Sequence, residues 1–364
     1  MGSVTFYESK VTVSFEEIRS GSLSEKLTEY ESIAWQFCYD WLTGIETFTI
    51  HTSGSTGIPK AIELDRKQMA ASALMTGNTL KLESGDTALV NLNVQYIAGM
   101  MMLVRGLVLD LHLTILEPSS LPVADLPVES RFDFQSYVPL QIQTILEKAP
   151  EKVAILNTAK AIIIGGAPVS SLLEDMLQHL SAPVYQTYGM TETVSHIALR
   201  GLNGSTHHDY YTALTGVTFE TDNRNCLIIH VPSLNNDPII TNDVVELVSD
   251  TAFRWKGRYD NVINSGGIKI QAEHIEQVIQ DILTDMQLYQ RFFIKGMPHP
   301  KLGEYVALFL EIEDLSPESK ELILQKAKSL LSRYEVPKQI FCVNQFAQTP
   351  TAKVDRQKTV LPFL

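Results

Sequence analysis

The stretch HTSGSTGIPK, residues 51–60, set directly after the β-rich run TFTI, constrains this chain more than any other segment. Gly54 and Gly57 let the backbone take positive φ and approach a ligand closely. Thr52, Ser53, Ser55 and Thr56 each carry a hydroxyl, and Lys60 adds a cation. Successive N–H groups in such a loop form an anion nest. Gly/Ser/Thr clusters are also ordinary surface turns, and the stretch alone does not separate the two. The Walker A spacing does not fit, because Pro59 stands between Gly57 and Lys60 and Ala61 follows the lysine. A phosphate loop here belongs to another class.

Composition narrows the possibilities. A length of 364 residues suggests two or three domains. The net charge is −13, from 42 acidic and 29 basic residues. That argues against nonspecific nucleic-acid binding and against docking on anionic membranes. A polyanion site must therefore gather its few cations locally. Cys38, Cys226 and Cys342 are far apart and match no zinc spacing, which suits a reducing cytoplasm. The start, MGSVTFYESK, lacks the pattern of a signal peptide, and Phe6 argues against myristoylation at Gly2. The apolar run 96–113 carries Arg105 and Asp110, too interrupted for a membrane span, and reads as a buried helix running into a strand.

Strand-like runs appear at AKAIIIGGAP (159–168), CLIIHVPS (226–233) and DVVELVSD (243–250). Aromatics Trp35, Phe37, Tyr39 and Trp41 are expected to pack the N-terminal segment onto the body. Ile275, Val278, Ile279, Ile282 and Leu283 follow the spacing of an amphipathic helix. A second helix begins with Ser316 as N-cap and Pro317 at its first position. Strand-like RFFIKG, YVALFLEI and KQIFCVN alternate with these helices, so the C-terminal part reads as a separate α+β unit. The boundary falls in the polar stretch KGRYDNVINSGG, which divides the chain into 1–259 and 260–364. His207 and His208 read as a solvent loop rather than a metal site.

Four further stretches carry chemistry. GGAP (165–168) follows a buried strand, at the carboxyl end where α/β ligand sites form. YQTYGMTET (185–193) sets an aromatic, a glycine, a hydroxyl and a carboxylate in close order. GRYDNVINSGGIKI (257–270) pairs Arg258 with Asp260 at the boundary, and TPTAKVDR (349–356) presents one lysine near the C-terminus. Each alone is weak. In this order, with the TND step at 241–243, they resemble the ANL adenylate-forming superfamily of acyl- and aryl-CoA synthetases, peptide-synthetase adenylation domains and luciferases.

That resemblance implies an α/β fold with a large N-terminal domain, 1–259, and a small mobile C-terminal domain, 260–364. It implies ATP, Mg²⁺ and coenzyme A as cofactors or cosubstrates, and a two-step ligase reaction through an acyl-AMP. The phosphate loop maps onto Thr52 to Lys60. Tyr188 matches the aromatic that stacks on adenine beside the backbone of Gly165, Gly166, Ala167 and Gly189. Thr191 would bond the α-phosphate, Glu192 would hold Mg²⁺, and Asp243 and Arg258 would meet the ribose. Lys353 matches the adenylation lysine and Asp260 the hinge. Gly266 and Gly267 would face the CoA channel.

The departures are a trimmed N-terminal subdomain, Ala352 where the lysine motif usually has glycine, and Asn242 where the T-G-D step has glycine. Within the superfamily the pattern is most similar to the short o-succinylbenzoate–CoA ligases of bacterial menaquinone synthesis. That substrate has a second carboxylate that does not react, and a buried carboxylate needs a cation or several donors. Arg105 is the candidate, with Ser195 and His196 as helpers and Tyr96 and Gly99 lining the acid pocket. Alternatively, Arg105 snorkels to solvent or pairs with an acidic residue, and His196 is an ordinary buried histidine. Another acid substrate, or a non-catalytic nucleotide-binding relative, also remains open. The expected partners are small molecules, with neither nucleic acid nor membrane; the sequence leaves the oligomeric state unknown.

Overall fold

The computed structural model describes residues 2–22, 26–52, 60–235, 237–348 and 354–364, and the side chains of 51, 52, 60 and 61 lie outside the description as well. Ser53, Gly54, Ser55, Thr56 and Gly57 of the candidate phosphate loop, and Lys353, therefore lie outside the described residues.

Among the described residues, thirteen strands form one large sheet. Its parallel centre comprises β1 (Ser3–Phe6), β5 (Thr87–Val90), β6 (His112–Ile115), β7 (Phe134–Tyr137), β8 (Ala161–Ile164) and β9 (Val184–Gly189), in the order β9-β8-β7-β5-β6-β1. β7 and β8 are buried along their whole length, as strands covered on both faces must be. The chain steps from β5 to β6 on one side and then returns to place β7 on the other side of β5. That reversal opens a crevice at the carboxyl ends of the strands.

Antiparallel strands extend both edges. β2 (Val11–Ser14) flanks β1, and β10 (His196–Gly201) flanks β9. Beyond β10 the sheet continues through β11 (Tyr211–Ala213), β15 (Ala252–Arg258), β14 (Ile239–Ser249), β13 (Cys226–His230) and β12 (Thr218–Thr221). A separate hairpin joins β3 (Thr47–Thr52) to β4 (Lys60–Asp65), with Thr52 and Lys60 as register partners at its connecting end.

Helix α1 (Glu29–Thr43) starts on a Thr28–Glu31 capping box and ends at Gly44, whose φ of 99° only glycine adopts cheaply. The expected aromatic packing is present: the rings of Phe37 and Trp41 lie 4.9 and 5.5 Å from that of Phe48. Helix α2 (Arg66–Leu80) is capped by the Asp65 carboxylate and packs on α3 (Ile97–Leu109). The apolar run thus becomes α3 followed by β6, and no described helix is long and apolar enough to cross a membrane.

After Arg258 the chain builds a second sheet from β16 (Val262–Ser265), β17 (Ile268–Gln271), β18 (Phe292–His299), β19 (Gly303–Glu311) and β20 (Gln339–Val343). Its order is β17-β16-β19-β18, with β20 on β19. Helix α5 (Ala272–Asp285) buries Ile275, Ile279, Ile282 and Leu283 against it, the stripe that the spacing predicts. Helix α6 (Pro317–Leu330) begins at Ser316, whose hydroxyl accepts from the Ser319 N–H. Between the sheets, Ser171 at the start of helix α4 (Ser171–Leu177) bonds Gln277 and Asp281 of α5, at 2.9 and 3.0 Å.

Candidate active site

A cavity of about 450 Å³ opens at the carboxyl ends of the parallel strands. Leu92 follows β5, Val138 follows β7, Gly165 and Gly166 follow β8, and Thr187 and Gly189 belong to the end of β9. This is the crevice at the topological reversal. Gly166 has a φ of 85°, and a Cβ on Gly165 would sit 2.5 Å from the Thr187 hydroxyl, so the β8 turn needs both glycines.

One wall is polar. Arg105, on the otherwise apolar α3, is 2% exposed and reaches the cavity. Its Nη2 donates to the Ser195 hydroxyl at 2.7 Å and faces His196 Nδ1 at 3.4 Å. Its Nε lies 3.4 Å from the Thr76 hydroxyl, and among the described residues Nη1 has only the Met102 sulfur, at 3.8 Å. A guanidinium can only donate, so His196 accepts at Nδ1 and carries its proton on Nε2, 3.2 Å from Thr76. Burial, with the Arg105 charge second, holds His196 well below its ordinary value of 6.5, so the ring is neutral. Burial also pushes Arg105 down to about 9, which leaves it charged at neutral pH. Among the described residues no carboxylate pairs with it. Arg105 thus does not snorkel, and it pairs with no acid among the described residues.

A second cluster adjoins the first through β9. The Tyr188 hydroxyl donates to Asp243 Oδ2 at 2.6 Å, and Trp255 Nε1 donates to Oδ1 at 3.3 Å. Asp243 and Arg258 are register partners across β14 and β15, with Nη1 3.8 Å from Oδ1. Arg258 Nη2 also meets Asp260 at 3.0 Å. Tyr188 packs on Tyr211 and Phe253, and burial pushes its hydroxyl far above the ordinary range, with the Asp243 charge second.

Several candidates stand apart. Tyr96 is 62% exposed at the N-terminus of α3 and does not line the cavity. A Cβ on Gly99 would lie 2.4 Å from the Leu92 and Asn93 carbonyls, so this glycine serves the close packing of α3, and it is not itself among the residues that line the cavity. Ala167 and Glu192 are exposed beside it, while Thr191 lines it. Gly266 and Gly267, with φ of 61° and 83°, form the β16–β17 turn; a Cβ on Gly266 would meet the Tyr334 ring at 3.4 Å. Thr76 and Trp255 were not legible as site residues, because a threonine and a tryptophan inside regular elements carry no local signal.

Sequence and structure comparisons agree on the family. The family described as AMP-binding enzyme matches residues 46–222. An acyl-CoA synthetase (AMP-forming)/AMP-acid ligase II-like protein from Dyadobacter fermentans, solved by crystallography, is 41% identical, covers 97% of this chain and 99% of its own, and superposes with a TM-score of 0.65. The chain belongs to the AMP-binding enzyme family. As a family member it is an AMP-forming acid–CoA ligase. The 2-succinylbenzoate–CoA ligase of Oceanobacillus iheyensis is 23% identical over 338 residues, 85% of this chain and 69% of the relative. A long-chain-fatty-acid–CoA ligase, FadD13 of Mycobacterium tuberculosis, is 24% identical over 345 residues, 86% of this chain and 66% of the relative. Similarity at this level identifies an AMP-binding enzyme without choosing its acid.

Magnesium can be tested against the donor set. Among the described residues no three His, Cys, Asp or Glu side chains converge. An ion sharing its ligands with ATP phosphates needs only one or two carboxylates. The exposed Glu192, one residue past cavity-lining Thr191, suits that role.

Proposed function

We propose that this AMP-forming ligase activates an acid with a second anionic group, o-succinylbenzoate being the best match. The observation that carries the reading is Arg105: buried, charged, without a carboxylate partner among the described residues, and on the cavity wall. A buried unpaired charge is costly, and an anionic substrate group supplies the missing partner. Ser195 and His196 complete the subsite, and the succinylbenzoate ligases among its relatives support the same assignment.

In the proposed reaction the reacting carboxylate attacks the α-phosphorus of ATP, a P–O bond forms, and pyrophosphate leaves. The CoA thiolate then attacks the acyl carbon and AMP leaves. Asp243 has lone pairs for the ribose diol beyond those that Tyr188 and Trp255 engage, and Arg258 adds charge beside it. Thr191 contacts the α-phosphate; the 52–60 loop and Lys60 hold the outer phosphates. Magnesium, when bound at Glu192, offsets phosphate charge. Lys353 neutralises charge during adenylation, and the unit 260–364 turns about Asp260 to bring the Gly266–Gly267 turn toward CoA for the second step. The product places the enzyme in menaquinone biosynthesis.

The deciding experiment is CoA-thioester formation with o-succinylbenzoate, benzoate and fatty acids. The diacid is expected to be preferred, with stoichiometric AMP and pyrophosphate. A preference for a fatty acid overturns the reading of the acid, and absence of pyrophosphate release with every acid overturns the enzyme reading.

A further inference from the structure

Val194 has φ 63° and ψ −51°, a region that a β-branched residue rarely enters because its side chain crowds the backbone. It is the centre of a three-residue γ-turn, in which the Ser195 N–H donates to the Thr193 carbonyl at 2.6 Å. Such strain persists only where the surroundings fix it. Here they are the side chain of Thr193, which has no exposed surface. Its hydroxyl accepts from the Met190 N–H at 2.9 Å and faces the carbonyls of Ser195, at 2.7 Å, and Met190, at 2.9 Å. It therefore ties together both ends of the segment 190–195.

The turn has a geometric consequence. Successive side chains of an extended strand point to opposite faces. Val194, Ser195 and His196 are consecutive, yet all three line the cavity. Ser195 and His196 both meet the same guanidinium. A regular strand would turn one of them away.

We propose that Thr193 and Val194 are positioning residues for acid selectivity: the Thr193 hydroxyl holds the γ-turn at Val194, and the turn sets Ser195 and His196 against Arg105. The assembled group then selects an acid with a second anionic group. This rests on the diacid reading above for the ligand, and on the backbone geometry alone for the turn.

Thr193→Val removes the hydroxyl at nearly constant shape, and Thr193→Ser retains it. kcat/KM is measured for o-succinylbenzoate and for the monoacid that keeps the reacting carboxylate and lacks the other. The ratio of diacid to monoacid kcat/KM is expected to fall about tenfold or more in T193V and to be kept in T193S; any loss through Thr191 and Glu192 of the same segment is common to both acids and cancels in the ratio. An unchanged preference in T193V, or a loss in T193S equal to that in T193V, overturns the positioning role. The turn is tested separately by melting. At ordinary positions alanine is more stable than glycine, and at positive φ the order reverses. Val194→Gly is expected to melt above Val194→Ala; the opposite order overturns the strained turn. A wild-type enzyme with no diacid preference removes the selectivity claim along with the diacid reading, and the melting order still decides the turn.

Discussion

Asn242 Nδ2 lies 3.3 Å from each carboxylate oxygen of Asp260, within reach of both as a donor. Its own carbonyl accepts from Arg224 Nη1 at 2.9 Å, and Arg224 lies over the Tyr259 ring. The side chain at the departure from T-G-D therefore ties the proposed hinge to the large sheet. Asn242→Gly removes the tie without touching the cavity. Exposed hydrogen bonds of this kind contribute about 0.5–1.5 kcal/mol, so the balance between orientations of 260–364 should shift about two- to tenfold. Energy transfer between dyes on the two units, compared in N242G and wild type, checks this. Identical distance distributions would remove the tether.

Arg105→Leu keeps α3 apolar and conserves bulk. A second substrate carboxylate would then be buried unpaired, at about 2–5 kcal/mol, or roughly thirty- to several-thousand-fold in kcat/KM. A monoacid should lose far less, and ATP affinity should stay within about twofold, since Arg105 is not part of the Asp243 cluster. Equal losses on diacid and monoacid would make Arg105 a structural residue.

His196 predicts a pH dependence of stability. The unfolded ring takes a proton as pH falls below 6.5, whereas burial and Arg105 keep the folded ring neutral. The unfolded state then binds more protons, so stability is intact above 6.5 and falls below it, by up to about 1.4 kcal/mol per pH unit, until the folded ring titrates. Thermal melts between pH 5 and pH 8 should show a steeper acid loss in wild type than in His196→Asn, with roughly equal slopes above the ordinary histidine range. Parallel curves throughout would mean that the ring is not held neutral.

Tyr188→Phe removes the donor 2.6 Å from the Asp243 carboxylate and keeps the ring between Tyr211 and Phe253. A buried hydrogen bond to a charged group contributes about 1.5–3 kcal/mol, so ATP affinity should weaken about ten- to hundredfold if it orients the ribose-binding carboxylate. Isothermal titration with ATP measures this. Unchanged affinity would detach the bond from nucleotide binding.

The amino-acid sequence by itself determined what is local. The Ser316 cap, the apolar stripe of α5 and the division of 96–113 into helix and strand follow from neighbouring residue types, and the structure has each. The ordered motifs likewise gave the family, because each is a short stretch that binds with its own backbone and side chains. Tertiary structure decided which of these residues act together. Arg105 meets Thr76 and Ser195 from 29 and 90 residues away, and only the packing of α2 and α3 on the sheet, next to the start of β10, makes that contact and leaves out any carboxylate of the described residues. Gly99, read as part of the acid pocket, faces backbone carbonyls for the same reason. The reach of Asn242 to Asp260 arises from cross-strand register, which no local pattern of residue types encodes, and the γ-turn at Val194, though held by its own neighbours, shows only in the folded backbone.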